Sequence, residues 1–139
     1  MSWSGWWDIK LREVSSATIG TKDPHSGGKY LKLGSDQTFK QNILQTVTGL
    51  ANGRYTLEMW VRTSGGQNDL TLFALDYGGK ELNLSVPKAQ NLSWVKYTLP
   101  NINVTNGKAT IGIWENAPAG LHYADVDDVA LYREDATSP

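Results

Sequence analysis

The sequence predicts an all-β fold, a β-sandwich jelly roll built from two antiparallel sheets. Three observations carry that expectation. Apolar and polar residues alternate with period two along most of the chain. Turn-forming groups break the alternation at short intervals: Asp23-Pro24, Ser26-Gly27-Gly28, Asn52-Gly53, Gly65-Gly66, Gly78-Gly79 and Asn106-Gly107. No stretch of ten or more residues holds the apolar stripe of a helix. Many short strands at such spacing close into a sandwich or barrel. The Asn-Gly pairs supply the positive φ that tight hairpin turns need.

Taken in order, strands are expected at Trp7–Val14, Tyr30–Leu33, Phe39–Val47, Arg54–Thr63, Asp69–Tyr77, Glu81–Val86, Val95–Leu99, Ala109–Trp114 and Tyr123–Tyr132. In the first, Trp7 shares parity with Ile9 and Leu11 and faces the core, which leaves Trp6 free to line a site. In Arg54–Thr63, Tyr55, Leu57, Met59 and Val61 form the inner row. Thr56, Glu58, Trp60 and Arg62 then form the outer row. Ala109, Ile111, Ile113 and Glu115 make a second inner row, opposite Thr110, Gly112, Trp114 and Asn116. A glycine in mid-strand marks close approach by another group, so Gly112 leaves room for a ring beside Trp114. Trp94, just before a strand, reads as core. In the last strand Val129 and Leu131 face the core, and strict alternation puts Asp127 with them. A buried carboxylate is costly unless it is paired or coordinates a cation, and oxygen-rich sites of that kind suit Ca²⁺. Residues 1–133 form the domain, and Glu134–Pro139, polar and patternless, read as the start of a linker.

Composition narrows the function. The 139 residues suit one domain with a core of its own. A net charge of -1 with no basic cluster argues against a nucleic-acid partner. No apolar run reaches membrane-spanning length, so no membrane partner is expected. The absence of cysteine removes disulfides, thiolate metal sites and a thiol nucleophile. Six Trp against two Phe is an excess of indole over cheaper core volume, which points to indoles on a surface. Familiar catalytic motifs are missing, and the two histidines, His25 and His122, sit beside turns. Glu58 and Glu115 are the candidates for a glycosidase pair, which needs two carboxyls about 5–9.5 Å apart across a cleft. Glu115 follows the inward row and Glu58 shares a face with Arg62, so paired or hydrogen-bonded roles are expected of both. No enzyme activity is therefore expected.

Trp60 and Trp114 together are expected to form a binding platform, with Arg62, Glu58, Asn116, Asp76 and Gln67 as hydrogen-bonding groups and Trp6 and Tyr77 at its edge. Sugars bind in this way, by stacking C–H faces on rings and pairing hydroxyls with planar polar groups. The alternatives are a small glycan-active enzyme or a protein-binding adhesion domain on the same sandwich.

An ordered series of segments runs through nearly the whole chain. It comprises His25-Ser26-Gly27-Gly28-Lys29-Tyr30-Leu31-Lys32-Leu33, Gln45-Thr46-Val47-Thr48-Gly49-Leu50, Gly53-Arg54-Tyr55-Thr56-Leu57, Trp94-Val95-Lys96-Tyr97 and Asp127-Asp128-Val129. It resembles the galactose-binding-like jelly roll of several carbohydrate-binding module families. Trp60–Gln67, Leu72-Phe73-Ala74, Asp76-Tyr77-Gly78-Gly79, Val104–Gly107 and Ile111-Gly112-Ile113 are similar to family 61 modules. Those modules accompany family 53 endo-β-1,4-galactanases and bind β-1,4-galactan. The resemblance implies a non-catalytic, monomeric, secreted bacterial domain whose partners are a polysaccharide or oligosaccharide and a covalently linked catalytic module. It also implies a structural Ca²⁺ held by Asp127, with backbone oxygens near Ser26 and Lys29. The families usually open with Asn-x-x-Phe-Glu, whose Glu helps hold the metal; here the chain opens Met1-Ser2-Trp3-Ser4-Gly5, a departure at that ligand.

Overall fold

A computed structural model describes residues 10–11, 17–20, 23, 25–27, 30–35 and 37–134. Among the described residues ten strands follow in order: β1 Lys10–Leu11, β2 Ala17–Gly20, β3 Tyr30–Ser35, β4 Phe39–Val47, β5 Gly53–Thr63, β6 Asp69–Leu75, β7 Leu82–Ser85, β8 Asn91–Val104, β9 Ala109–Ala117 and β10 His122–Arg133. They form two five-stranded antiparallel sheets, ordered β1-β4-β9-β6-β7 and β2-β3-β10-β5-β8. The chain crosses between sheets at every connection except β2–β3 and β6–β7. This is the jelly-roll sandwich expected.

The inner rows meet as alternation requires. Leu57, Met59, Val61 and Leu131 of the second sheet pack against Ile43, Leu72, Ile111 and Ile113 of the first, each with at most 2 % of its surface exposed. Burying one such side chain stabilises the fold by about 1.5–3 kcal/mol.

Three local irregularities move side chains away from simple parity. In β10 one extra residue lies between Asp127, opposite Trp60, and Ala130, opposite Glu58. Asp128 takes up the slack with φ 50°. Asp127 therefore lies on the outer face with Trp60, and the inward placement read from Val129 and Leu131 is corrected: the bulge resets the alternation between them. In β8 the same device falls at Pro100-Asn101, where the register slips and Asn101 has φ 66°. β8 is an edge strand, where a proline costs no ladder bond, so it runs well past the Val95–Leu99 expected. In the β6 segment, Asp76 at φ 58° ends the strand and turns Tyr77 inward.

β2 was not expected, because Ala17-Thr18-Ile19-Gly20 has almost no apolar alternation. It is held as an edge strand by pairing with β3. Of the strand read at Trp7–Val14, Lys10 and Leu11 pair with β4; Trp6 and Trp7 lie outside the described residues. Glu134, read as the first linker residue, is tied to β5: its N–H donates to Arg54 O at 2.7 Å.

Candidate glycan-binding cleft

The outer face of the first sheet forms a cleft of about 580 Å³. Strand register builds its floor. Asn42, Trp114, Thr71 and Ser85 stand side by side across β4, β9, β6 and β7. Leu44, Gly112, Phe73 and Asn83 make the next row. Asp69, Leu75, Glu81 and Thr110 complete the lining. Trp114 is half-buried and sits on the face its neighbours Ile111 and Ile113 avoid. Thr71 Oγ1 donates to Asp69 Oδ1 at 2.5 Å and fixes that carboxylate at the rim.

Phe73 was missed by sequence reasoning, although its parity opposite Leu70, Leu72 and Ala74 marks it as outward. The space above Gly112 belongs to this ring: a Cβ on Gly112 would lie 2.7 Å from Phe73 Cζ and 2.2 Å from Ile43 O. The close approach read from Gly112 is real, but the approaching ring is the protein's own. Phe73 is 5 % exposed and walls the floor beside Trp114.

Trp60 and Trp114 do not form one platform. Trp114 belongs to β9 in the first sheet, Trp60 to β5 in the second, and each faces outward on its own side. The Trp60 ring is stacked on His25, centroids 3.8 Å apart and planes 20° from parallel. His25, with Asp23 and Ser26, is fastened over the second sheet. The His25 N–H donates to Asp127 Oδ2 at 3.0 Å, and His25 Nδ1 lies 2.5 Å from Asp128 Oδ2. Arg62 is spent on the same fastening. Its Nε donates to Asp125 Oδ2 at 2.8 Å and its Nη1 to Asp23 O at 2.7 Å. Its guanidinium lies 4.4 Å from the Trp94 ring centroid and 4.8 Å from that of Tyr30. Trp94, read as core, is instead half-buried on this outer face and donates its Nε1–H to Asp23 O at 3.0 Å. Burial pushes the Asp125 carboxyl up, and the Arg62 hydrogen bond opposes it.

The other expected site residues separate. Asn116 is half-buried on the cleft face, opposite Lys40 and Asp69. Asp76 is exposed beyond the end of β6, near Thr110 of the cleft, whose Oγ1 lies 3.4 Å from Asp76 Oδ2. Gln67 is 3 % exposed and points into the sandwich, where its Nε2 donates to Glu115 Oε2 at 3.0 Å. Tyr77 is a core residue, its hydroxyl donating to Lys80 O. Neither Gln67 nor Tyr77 reaches a surface site, because the turns beside them fold their side chains inward. Glu58 stands on the second sheet 3.9 Å from Lys96 Nζ, not on Arg62 as expected. Glu115 is fully buried between the sheets, so the two glutamates do not share a cleft.

For the expected cation, Ser26 and Asp127 do meet, but through the Ser26 N–H, which donates to Asp127 Oδ2 at 3.2 Å. The Asp128 N–H takes Asp127 Oδ1 at 2.9 Å. Burial pushes the Asp127 carboxyl up, and the Ser26 N–H opposes it. A calcium ion takes six to eight oxygens; here the carboxylates are engaged by N–H and O–H donors. Among the described residues no group of three or more His, Asp or Glu is placed to hold a metal. These residues do not by themselves make the calcium site; Lys29 lies outside them.

The two-sheet jelly roll is a fold found among carbohydrate-binding modules, and solved structures show the likeness. The chain has the fold of carbohydrate-binding modules and is family 61-like in that fold. It superimposes on TmCBM61 in complex with β-1,4-galactotriose with a TM-score of 0.82 and 25 % identity, covering 91 % of this chain and 88 % of that one. A family 16 carbohydrate-binding module shares the fold alone, with a TM-score of 0.61 and 11 % identity over 85 % of this chain and 86 % of the other. In sequence, the chain is 28 % identical over 126 residues to a 1,6-alpha-glucosyltransferase of Sporosarcina globispora. The match covers 88 % of this chain but only 9 % of that protein's length. No family model matches the sequence.

Proposed function

We propose that the module binds a β-1,4-galactan chain in the Trp114 cleft and holds an attached carbohydrate-active enzyme on that polysaccharide outside the cell, without catalysing a reaction itself. The observation that carries the reading is the cleft floor, where a half-buried indole is flanked in register by Asn42 and Thr71. A sugar ring stacks its C–H face on the indole and pairs its hydroxyls with the polar side chains around it. Galactan is favoured by the galactotriose complex of the similar fold. An α-1,6-linked glucan is the second reading, favoured by the likeness to a segment of a 1,6-alpha-glucosyltransferase. Tethering raises the effective concentration of the attached enzyme at its substrate.

Affinity electrophoresis against galactan, dextran, arabinan, xylan, mannan and β-glucan tests the reading. Retardation by galactan supports it, retardation by dextran alone transfers the role to the α-glucan, and free migration in every gel overturns both. New reducing ends after incubation with galactan overturn the non-catalytic assignment.

Calcium rests on the family resemblance alone. If it binds, millimolar calcium raises the melting temperature, because a ligand held only by the folded state stabilises it, and Asp127→Ala abolishes that response. A melting curve unmoved by EDTA and by added calcium leaves Asp127 with no role beyond accepting from the N–H groups of His25, Ser26 and Asp128.

A further inference from the structure

Among the described residues the cleft lining carries acceptors and no cation. Asp69 and Glu81 are among the described residues that line it, and none of those is Lys, Arg or His. Thr71 spends its hydroxyl proton on Asp69, so its oxygen has only lone pairs left to offer. Directly beside Trp114 in register stands Asn42. Its Oδ1 is buried and has no hydrogen-bond partner. Buried polar atoms in folded proteins are overwhelmingly paired, and an exception calls for a reason. Here the side chain lines the cleft one strand away from the stacking ring, so a turn of the carboxamide toward a bound sugar gives the oxygen its missing donor.

We propose, on the basis of the glycan-binding reading above, that the cleft selects neutral chains with a free hydroxyl beside Trp114, that Asn42 Oδ1 accepts a hydrogen bond from that hydroxyl, and that uronates and O-methylated chains are rejected. A uronate brings a carboxylate toward those of Asp69 and Glu81, and none of the described lining residues is basic to receive it. An O-methyl ether removes the donor and sets an acceptor against an acceptor. The two rejections have different physical causes and separate by salt. Repulsion between charges at an open cleft is screened as ionic strength rises, whereas a missing hydroxyl proton is not restored by salt.

The test measures affinity of the unaltered protein for β-1,4-galactan and dextran, each native and O-methylated, and for polygalacturonate, at about 20 mM and about 500 mM NaCl. Whichever native polymer binds is expected to lose about tenfold or more on methylation at both salt concentrations. Polygalacturonate is expected to be excluded at low salt and less so at high salt. Asn42→Ala, with its melting temperature measured in parallel, is expected to weaken the native polymer and bring the native-to-methylated ratio close to one. Equal affinity for native and methylated chains, or low-salt binding of polygalacturonate at the level of the neutral polymer, overturns the inference and leaves glycan binding standing. Failure of both native polymers to bind overturns the inference and the glycan-binding reading together.

Discussion

Trp114→Ala is expected to lower glycan affinity by about tenfold or more, equivalent to about 1.4 kcal/mol, while the melting temperature stays close to that of the parent. Trp114 stands on the outer face and takes no part in the core between the sheets. Truncating a core tryptophan typically costs about 3–5 kcal/mol of stability; a half-buried stacking residue costs much less. Trp60→Ala is expected to do the reverse. It removes the ring on which His25 is stacked and loosens the hold of His25 on the second sheet. Its effect falls on the melting temperature, with cleft affinity unchanged, because the two indoles lie on opposite sheets. Calorimetric titration and thermal melts of both variants check the pair. Loss of affinity in Trp60→Ala with none in Trp114→Ala reverses the assignment of the face.

The domain is expected to be most stable at mildly acidic pH and to lose stability as pH rises toward 8. The cause is Glu115, fully buried between the sheets, with Oε2 on Gln67 and Oε1 without a partner. Burial, with the nearby Asp125 charge adding to it and the Gln67 hydrogen bond opposing, pushes its carboxyl from 4.5 to about 8. The folded state thus holds a proton that the unfolded chain releases near pH 4.5. Stability from this group is fully present below that pH and is lost as pH rises through about 8. Each pH unit between the two values removes at most about 1.4 kcal/mol, so the whole effect is on the order of a few kcal/mol. Asp125 and Asp127, also pushed up by burial, act with the same sign at the acidic end. Glu115→Gln keeps an amide beside Gln67 but removes the titration. Urea unfolding at a series of pH values should show a falling curve for the parent and a flatter one above pH 6 for the variant. A parent whose stability rises across that range contradicts the burial argument.

Alternation made the strands and their two faces legible. The inner and outer rows of β5 and β9 fall where period two puts them, Glu115 included. Alternation says nothing about which sheet a strand joins, because partners are set by long-range pairing. That is why Trp60 and Trp114, both outward, were read as neighbours. Asp127 was misplaced because a single inserted residue at Asp128 reverses a face without leaving a mark in the apolar pattern. Tyr77 was misplaced because the strand ends before it, where the positive φ of Asp76 turns the next side chain inward. Arg62 and Trp60 carried the polar-aromatic signature of a sugar site, yet they serve to fasten the protein's own Asp23 and His25. The chemistry of holding a loop carbonyl and that of holding a sugar hydroxyl draw on the same side chains. Phe73, by contrast, is legible as outward from its parity opposite Leu70, Leu72 and Ala74.

Tryptophan indole N–H resonances, followed by NMR during titration with β-1,4-galactan and with dextran, report most directly on which face binds. Substitutions assign Trp60, Trp94 and Trp114 among the six indoles of the chain. The cleft assignment predicts that the Trp114 resonance moves on saturation with the bound polymer while those of Trp60 and Trp94 stay in place. Movement of Trp60 and Trp94 with Trp114 unmoved would put the glycan on the second sheet and contradict it.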